Sequence, residues 1–424
     1  MLCCTVLFCV DNIEVTPLSP RLTSSHLLSP PLSSSLLFEG RANMTAVARK
    51  RGWWDGVVPF DFTAAFSIGE YSHEYYSGRR MWRALSLAAP SLQLDPTIGS
   101  PLKPQPATGL RRAFYPWSVV PDRKLRVQDL QATHRDHYEG TAFDLTKGLA
   151  AGAFSSPNRW GAGPAERAIG ADGAWERPIS VYRVNYNHIT QLRAWLPREV
   201  GACLWFGPHV PHGTVYVPMY VGAQMVPAAY SEGNMATYDR SGVAWWRHAF
   251  VSNWAQLKWS YIIKDIRAQQ ATLEGGFFAA QASAEANATA MVAAGHVAEA
   301  RQLLAGVSQG AADRTAMAWE AFADALVVKY KDGFVDVAPG VVAAVGKPVG
   351  YPSWWLHAVG FANFPAMSPA VCNTTAAYAK VEDKEAKEGA GERGEKEREL
   401  AGLRDRVAEL ESRLLEMMES TTTQ

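Results

Sequence analysis

The pattern of apolar and polar positions divides the chain into four stretches. Residues 11–37 mix Ser, Leu and Pro, with Pro17, Pro20, Pro30, Pro31 and the run Ser33 to Ser35, and keep neither a period of two nor one of 3.6. Residues 1–37 therefore read as a low-complexity, disordered segment. Patterning begins at Phe38 and runs to about Tyr378. Arg79 to Ala88 and Val127 to His137 have helical spacing. Ile179 to Tyr186 alternates apolar and polar side chains, and Ala202 to Phe206 and Thr214 to Tyr220 are β-rich runs. Turn chemistry at Gly207-Pro208 and Pro211-His212-Gly213 joins them, which predicts an antiparallel sheet with one buried face. Downstream, Trp246, Phe250, Trp254, Leu257 and Tyr261 recur at spacings of three and four, as do Trp319, Phe322, Leu326 and Tyr330. Strands followed by helices predict an α+β body over residues 38–378. A charged linker, 379–399, leads to Leu400, Leu403, Val407, Leu410, Leu414 and Met417, whose spacing predicts a coiled-coil helix over 400–419.

Composition and charge narrow the classes. The 424 residues hold 41 Lys plus Arg against 41 Asp plus Glu and are 48% hydrophobic, proportions of a globular protein. Neutrality argues against a general nucleic-acid binder, which would carry a basic excess. The longest clean apolar stretch, Leu2 to Val10, is half of what spans a bilayer, so no membrane partner is expected. It has the apolar character of a signal peptide but lacks a preceding Lys or Arg and a clean cleavage pattern. Residues 380–419 hold 9 basic and 13 acidic residues, leaving 32 and 28 elsewhere, so the tail is acidic and the body mildly basic. Five cysteines, at 3, 4, 9, 203 and 372, with no CxxC pair, form neither a disulfide framework nor a zinc site.

Local motifs give little chemistry by themselves. His134 and His137, with Asp136 or Glu139 nearby, bring no third ligand with them, so metal ligation is not expected. His134-Arg135-Asp136 matches a kinase catalytic loop in three letters, without a Gly-rich loop, a strand lysine or Asp-Phe-Gly. His209 and His212 flank a turn, where a ring most simply caps the loop. Cys203, between Ala202 and Leu204 on a strand, reads as a buried apolar residue. No GxGxxG, Walker or Gly-x-Ser-x-Gly pattern is present.

Longer strings carry more. They are Asp136-His137-Tyr138-Glu139-Gly140-Thr141, Phe143 to Gly152, Ser156-Pro157-Asn158-Arg159-Trp160 and Glu176-Arg177-Pro178-Ile179-Ser180-Val181-Tyr182-Arg183. Asp61-Phe62-Thr63 and Tyr75 to Trp82 precede them, and Leu204 to Pro208 and Phe250 to Ala255 follow. Together they resemble the dipeptidase family of cysteine peptidases in the N-terminal nucleophile hydrolase superfamily, over about Phe38 to Pro365. The resemblance implies a partial four-layer αββα sandwich with a helical C-terminal half, and hydrolysis of dipeptides with no metal or other cofactor. In that superfamily the first residue of the mature chain supplies the nucleophile and its free α-amine, of pKa near 8, is the base.

The family begins with Cys-Thr on a strand, and about half of its first sheet precedes the part matched here. Cys4-Thr5-Val6-Leu7-Phe8 is the nearest counterpart and makes Cys4 the candidate nucleophile. Asn158 and Arg177 lie where related enzymes place an Asn and an Arg around the thiol, which makes them candidates for oxyanion and substrate contacts; an arginine suits a dipeptide's C-terminal carboxylate. Two readings stay open: an active dipeptidase, or a catalytically dead remnant that binds peptides or associates through its coiled coil. The expected partners are a dipeptide or short peptide and, through residues 400–419, further copies of the chain.

Overall fold

The computed structural model describes residues 43–57, 60, 62–66, 76–98, 115–116, 118–160, 176–342 and 346–360. The predicted front segment, the linker at 379–399 and the coiled coil at 400–419 lie outside them. The chain divides after Tyr351 into two compact units, and of the second the described part is Pro352 to Gly360 with the short helix Ser353–Ala358.

The first unit is a mixture of helix and strand, as the α+β expectation held. Its helices are α1 (Met44–Lys50), α2 (Phe62–Phe66), α3 (Gly78–Ala88), α4 (Val127–His134), α5 (Ala228–Ser231), α6 (Ala244–Ala255), α7 (Trp259–Ala293) and α8 (Val297–Lys329). Strands β1 (Tyr186–Leu192), β2 (Ala202–Pro208) and β3 (Val217–Tyr220) form an antiparallel meander in that order. Tyr186 pairs with Pro208 and Leu192 with Ala202, while Cys203 pairs with Tyr220 and Phe206 with Val217. A two-stranded ladder, β4 (Phe334–Val335) with β5 (Lys347–Pro348), follows α8.

Period-two alternation decides which face of the sheet is packed. Asn187, Ile189 and Gln191 of β1 are buried together with Cys203, Trp205 and Gly207 of β2, which share their face. Of these, Ile189, Cys203 and Trp205 lie in one core with Trp259, Ile262, Ile266, Leu304, Trp319 and Leu326 of α7 and α8. The opposite face presents Tyr186, His188, Thr190, Leu192, Leu204 and Phe206, with Tyr186 and Leu192 half exposed. The two long helices pack as a hairpin and bury small residues, Ala284 and Ala288 on the first and Ala300, Ala311 and Ala312 on the second. Gly295, at φ +87°, turns the chain between them and lets the amide of His296 close on Met291 O at 2.8 Å. None of the described helices is long and apolar enough to cross a membrane.

Three expectations shift. The strand read at Ile179 to Tyr186 begins only at Tyr186, because residues 179–184 spend their amides elsewhere: Ser180 N bonds Asp136 O, and Val181 and Val184 close local turns. The strand read at Thr214 starts at Val217, since Tyr216 N is taken by the Glu274 carboxylate at 2.9 Å. The helical stripe from Trp246 to Tyr261 is broken at residues 256–258. There Lys258 leaves helical backbone (φ −147°, ψ 56°) and its ammonium donates to the carbonyls of Tyr330, Asp332 and Phe334. Three carbonyl dipoles replace the water lost by that buried cation.

Candidate functional site

The string around Asp136 builds a platform for Arg177. Helix α4 stops at His134, and Asp136 then accepts a bidentate pair from Arg83 of α3, at 2.9 and 2.7 Å. The same carboxylate accepts the amide of Tyr138 at 2.8 Å, holding that residue at φ +68°, a region a non-glycine residue adopts only when its surroundings impose it. Tyr138 is fully buried, and its hydroxyl donates to Arg177 O at 2.5 Å. Burial pushes that phenol far above its ordinary range, so it stays a donor. The guanidinium of Arg177 lies 4.7 Å over the ring of Tyr76, and its neighbour Glu176 is taken by Arg79 at 3.0 and 3.1 Å. Arg79 also stacks on Phe143 at 3.5 Å.

Behind this platform runs a buried polar chain. Glu139 accepts the amide and Nδ1 of His137 at 2.5 and 3.0 Å; His137 Nε2 meets His212 Nδ1 at 3.1 Å; Ser180 Oγ lies 2.9 Å from the same nitrogen. The indole of Trp259 stands edge-on to both rings. Burial acts to raise the Glu139 carboxyl, but its hydrogen bonds to His137 and its electrostatic interaction with that ring outweigh it and hold the group down at about 2. Glu139 is thus an acceptor, and His137 Nδ1 donates to it. Burial, with the neighbouring cations and rings, holds His212 neutral. Its Nδ1 lies between His137 Nε2 and Ser180 Oγ, while its Nε2 has no hydrogen-bond partner among the described residues. Ser180 and His212 are both buried away from any substrate, so these groups are not a nucleophile and its base. They tie the 136–139 segment to the turn at 211–213 and, through Gln270 to His212 O at 3.1 Å, to α7.

Asn158 sits in a second loop. Its amide approaches Ser156 Oγ at 3.3 Å, Ser156 bonds Gln256 at 2.7 Å, and Arg159 clamps the loop through the carbonyls of Ser156, Asn158 and Leu145. The Asn158 side chain is buried, with Oδ1 lacking a hydrogen-bond partner. No hydrogen bond joins it to Arg177. Cys4 lies outside the described residues. Cys203 is fully buried with its thiol pushed up by desolvation to about 12, which leaves it no thiolate near neutrality. His134 and His137 part company, the former bonding Tyr216 OH at 2.9 Å, and among the described residues no group of three potential ligands converges on a metal position. The residues sequence reasoning passed over are Tyr76, Tyr138 and Arg80, all inside strings it singled out, whose convergence on Arg177 spans about a hundred positions and leaves no local signal.

Comparison with known proteins agrees with this assembly of strings. Residues 40–272 match Peptidase family C69. A probable dipeptidase of Salmonella dublin is 28% identical over 180 residues, 42% of this chain and 34% of that protein. A probable dipeptidase of Latilactobacillus sakei is 24% identical over 173 residues, 41% of this chain and 30% of its own length. The alignments thus span about a third of these relatives. The match to the family covers more than half of the present sequence and includes Arg83, Asp136, Tyr138, Asn158, Arg177 and His212. The chain belongs to Peptidase family C69.

Proposed function

We propose that the protein is a dipeptidase-like cysteine hydrolase of the N-terminal nucleophile type. The observation that carries the reading is the family match over the segment that anchors Arg177, a half-buried guanidinium held by its backbone and without an ion pair among the described residues. The reaction asks little of the described residues beyond binding. An N-terminal cysteine thiol gives its proton to the α-amine and attacks the peptide carbonyl carbon. The tetrahedral oxyanion is stabilised by amide donors such as Asn158 Nδ2. As the C–N bond breaks, the ammonium returns the proton to the leaving amine, leaving a thioester that water hydrolyses to the free acid and thiol. Arg177 holds the C-terminal carboxylate in bidentate fashion. Cys4 is the candidate thiol. The four-layer sandwich belongs to the same proposal and is supported by a sheet packed on α7 and α8 through one face, with Tyr186 and Leu192 half exposed on the other.

The rival reading, a peptide-binding remnant, draws on the one thiol among the described residues, Cys203, being buried and inert. Intact-mass measurement of the natively produced protein, joined to a dipeptide hydrolysis assay with and without a thiol alkylator, separates the two. A mature chain starting at a cysteine, with turnover abolished by alkylation, is the expected result. Hydrolysis insensitive to alkylation removes the cysteine mechanism, and a chain retaining Met1 with no turnover leaves the binding role.

A further inference from the structure

Arg177 does not stand alone. Arg80, on α3, is half-buried and lies 5.2 Å over the same Tyr76 ring that carries Arg177, so the two charges lie within about a Debye length, ~10 Å at 0.1 M salt. Arg183 follows six residues after Arg177, is exposed, and acts on Arg177 electrostatically together with Arg80. Burial and these two neighbours lower the Arg177 guanidinium from its usual value. Partial burial of like charges is unfavourable and is ordinarily offset by carboxylates. Here the nearby acids are engaged elsewhere, Glu176 by Arg79 and Asp136 by Arg83. Among the described residues no carboxylate lies within ion-pair distance of Arg80, Arg177 or Arg183, and their only side-chain hydrogen bond is from Arg80 Nε to Tyr76 O at 3.2 Å. Tyr76 contributes a π face to two of the cations, a contact that uses none of their N–H donors.

Three guanidiniums exceed what one carboxylate can satisfy, since a bidentate pair occupies one fork. We propose that Arg80, Arg177 and Arg183 form a subsite for ligands with two carboxylates, namely dipeptides whose C-terminal residue is Asp or Glu. This rests on the dipeptide reading above and specifies its substrate class. The α-carboxylate sits on Arg177, and the side-chain carboxylate is shared by Arg80 and Arg183. Tyr182, whose ring lies 4.9 Å from that of Trp160, borders the subsite beside Arg183.

Binding to the full-length protein is the test, read by calorimetry with non-hydrolysable isosteres in which the amide is reduced to CH2–NH. Ala-Glu isostere is expected to bind about tenfold tighter than Ala-Gln isostere, the share of one charge-assisted contact. Arg183→Gln, at an exposed position, brings that ratio toward one, as does Arg80→Gln, with thermal melts confirming folding. Inorganic phosphate competes at least tenfold more weakly than Ala-Glu isostere. Equal affinity for the two isosteres, a ratio unchanged in both variants, or phosphate binding as tightly as the peptide would each overturn the proposal. Hydrolysis of neutral and acidic dipeptides at equal efficiency would do the same while leaving the dipeptidase reading intact. Selective binding without turnover would keep the subsite and remove the enzyme.

Discussion

Four histidines in this molecule are more telling as neutral groups than as catalysts. Burial pushes His134 and His209 down to about 4 and His248 to about 3, while His212 is driven well below its ordinary value. In the unfolded chain each ring titrates near 6.5. As the pH falls below 6.5, the unfolded chain takes up protons that the folded chain refuses until about 4 or 3, so stability is lost through that window. Each ring contributes up to ~1.4 kcal/mol per pH unit of decline. Glu139 works in the same direction lower down: its carboxyl is held at about 2, so its contribution is full above the unfolded value of 4.5 and disappears as the pH drops toward 2. Thermal midpoints measured from pH 7 to pH 4 are therefore expected to fall steeply, beginning above the carboxylate range. A midpoint flat down to pH 4.5 would mean that these rings are solvated or already charged in the folded protein.

At the scale of elements, one ion pair holds together pieces distant in sequence. Arg135, just past the end of α4, forms a bidentate pair with Glu274 of α7 at 3.0 and 2.5 Å, and also donates to the carbonyls of Pro211 and Thr214. Glu274 in turn takes the amide of Tyr216 and so sets where β3 begins. Replacing Glu274 by Ala strands a largely buried guanidinium, which costs about 3–5 kcal/mol. Denaturant unfolding of Glu274→Ala should register a loss of that size, and a change below ~1 kcal/mol would mean that water already reaches the pair. This contact also explains what periodicity could and could not announce. The α3 helix and β2 were legible because their apolar spacing and their packing agree. The alternation at 179–186 misled because Val181 is buried within irregular chain, not on a ladder, once Asp136 claims the amide of Ser180. Sequence pattern reports burial; which backbone group accepts each amide is decided by residues far away. The site behaves likewise. Arg177 and Asn158 were visible as letters in long strings, whereas Tyr138 reaching Arg177 O, and Arg80 sharing a ring with Arg177, exist only after α3 and the 136–139 segment meet.

At the scale of the whole molecule, a mildly basic body precedes an acidic tail. The described core, from the sheet through α7 and α8, is built of residues that precede Tyr351. Residues 400–419 place six apolar side chains at alternating spacings of three and four, between charges of both signs. A helix of that length gains little stability alone in water, since nucleation is costly and only about two and a half heptads repay it, so the stripe is satisfied most simply by a partner helix. A second copy of the chain is the partner always available, and we propose that the stripe pairs two copies, weakly and in a concentration-dependent way given so few heptads. Light scattering of the full chain should give a mass that rises from one chain toward two over the micromolar range, whereas a variant ending at Ala379 should keep the mass of one chain with its thermal midpoint unchanged. Equal masses for both proteins across that range would remove self-association from the tail and leave it a solvated helix or a contact for another protein.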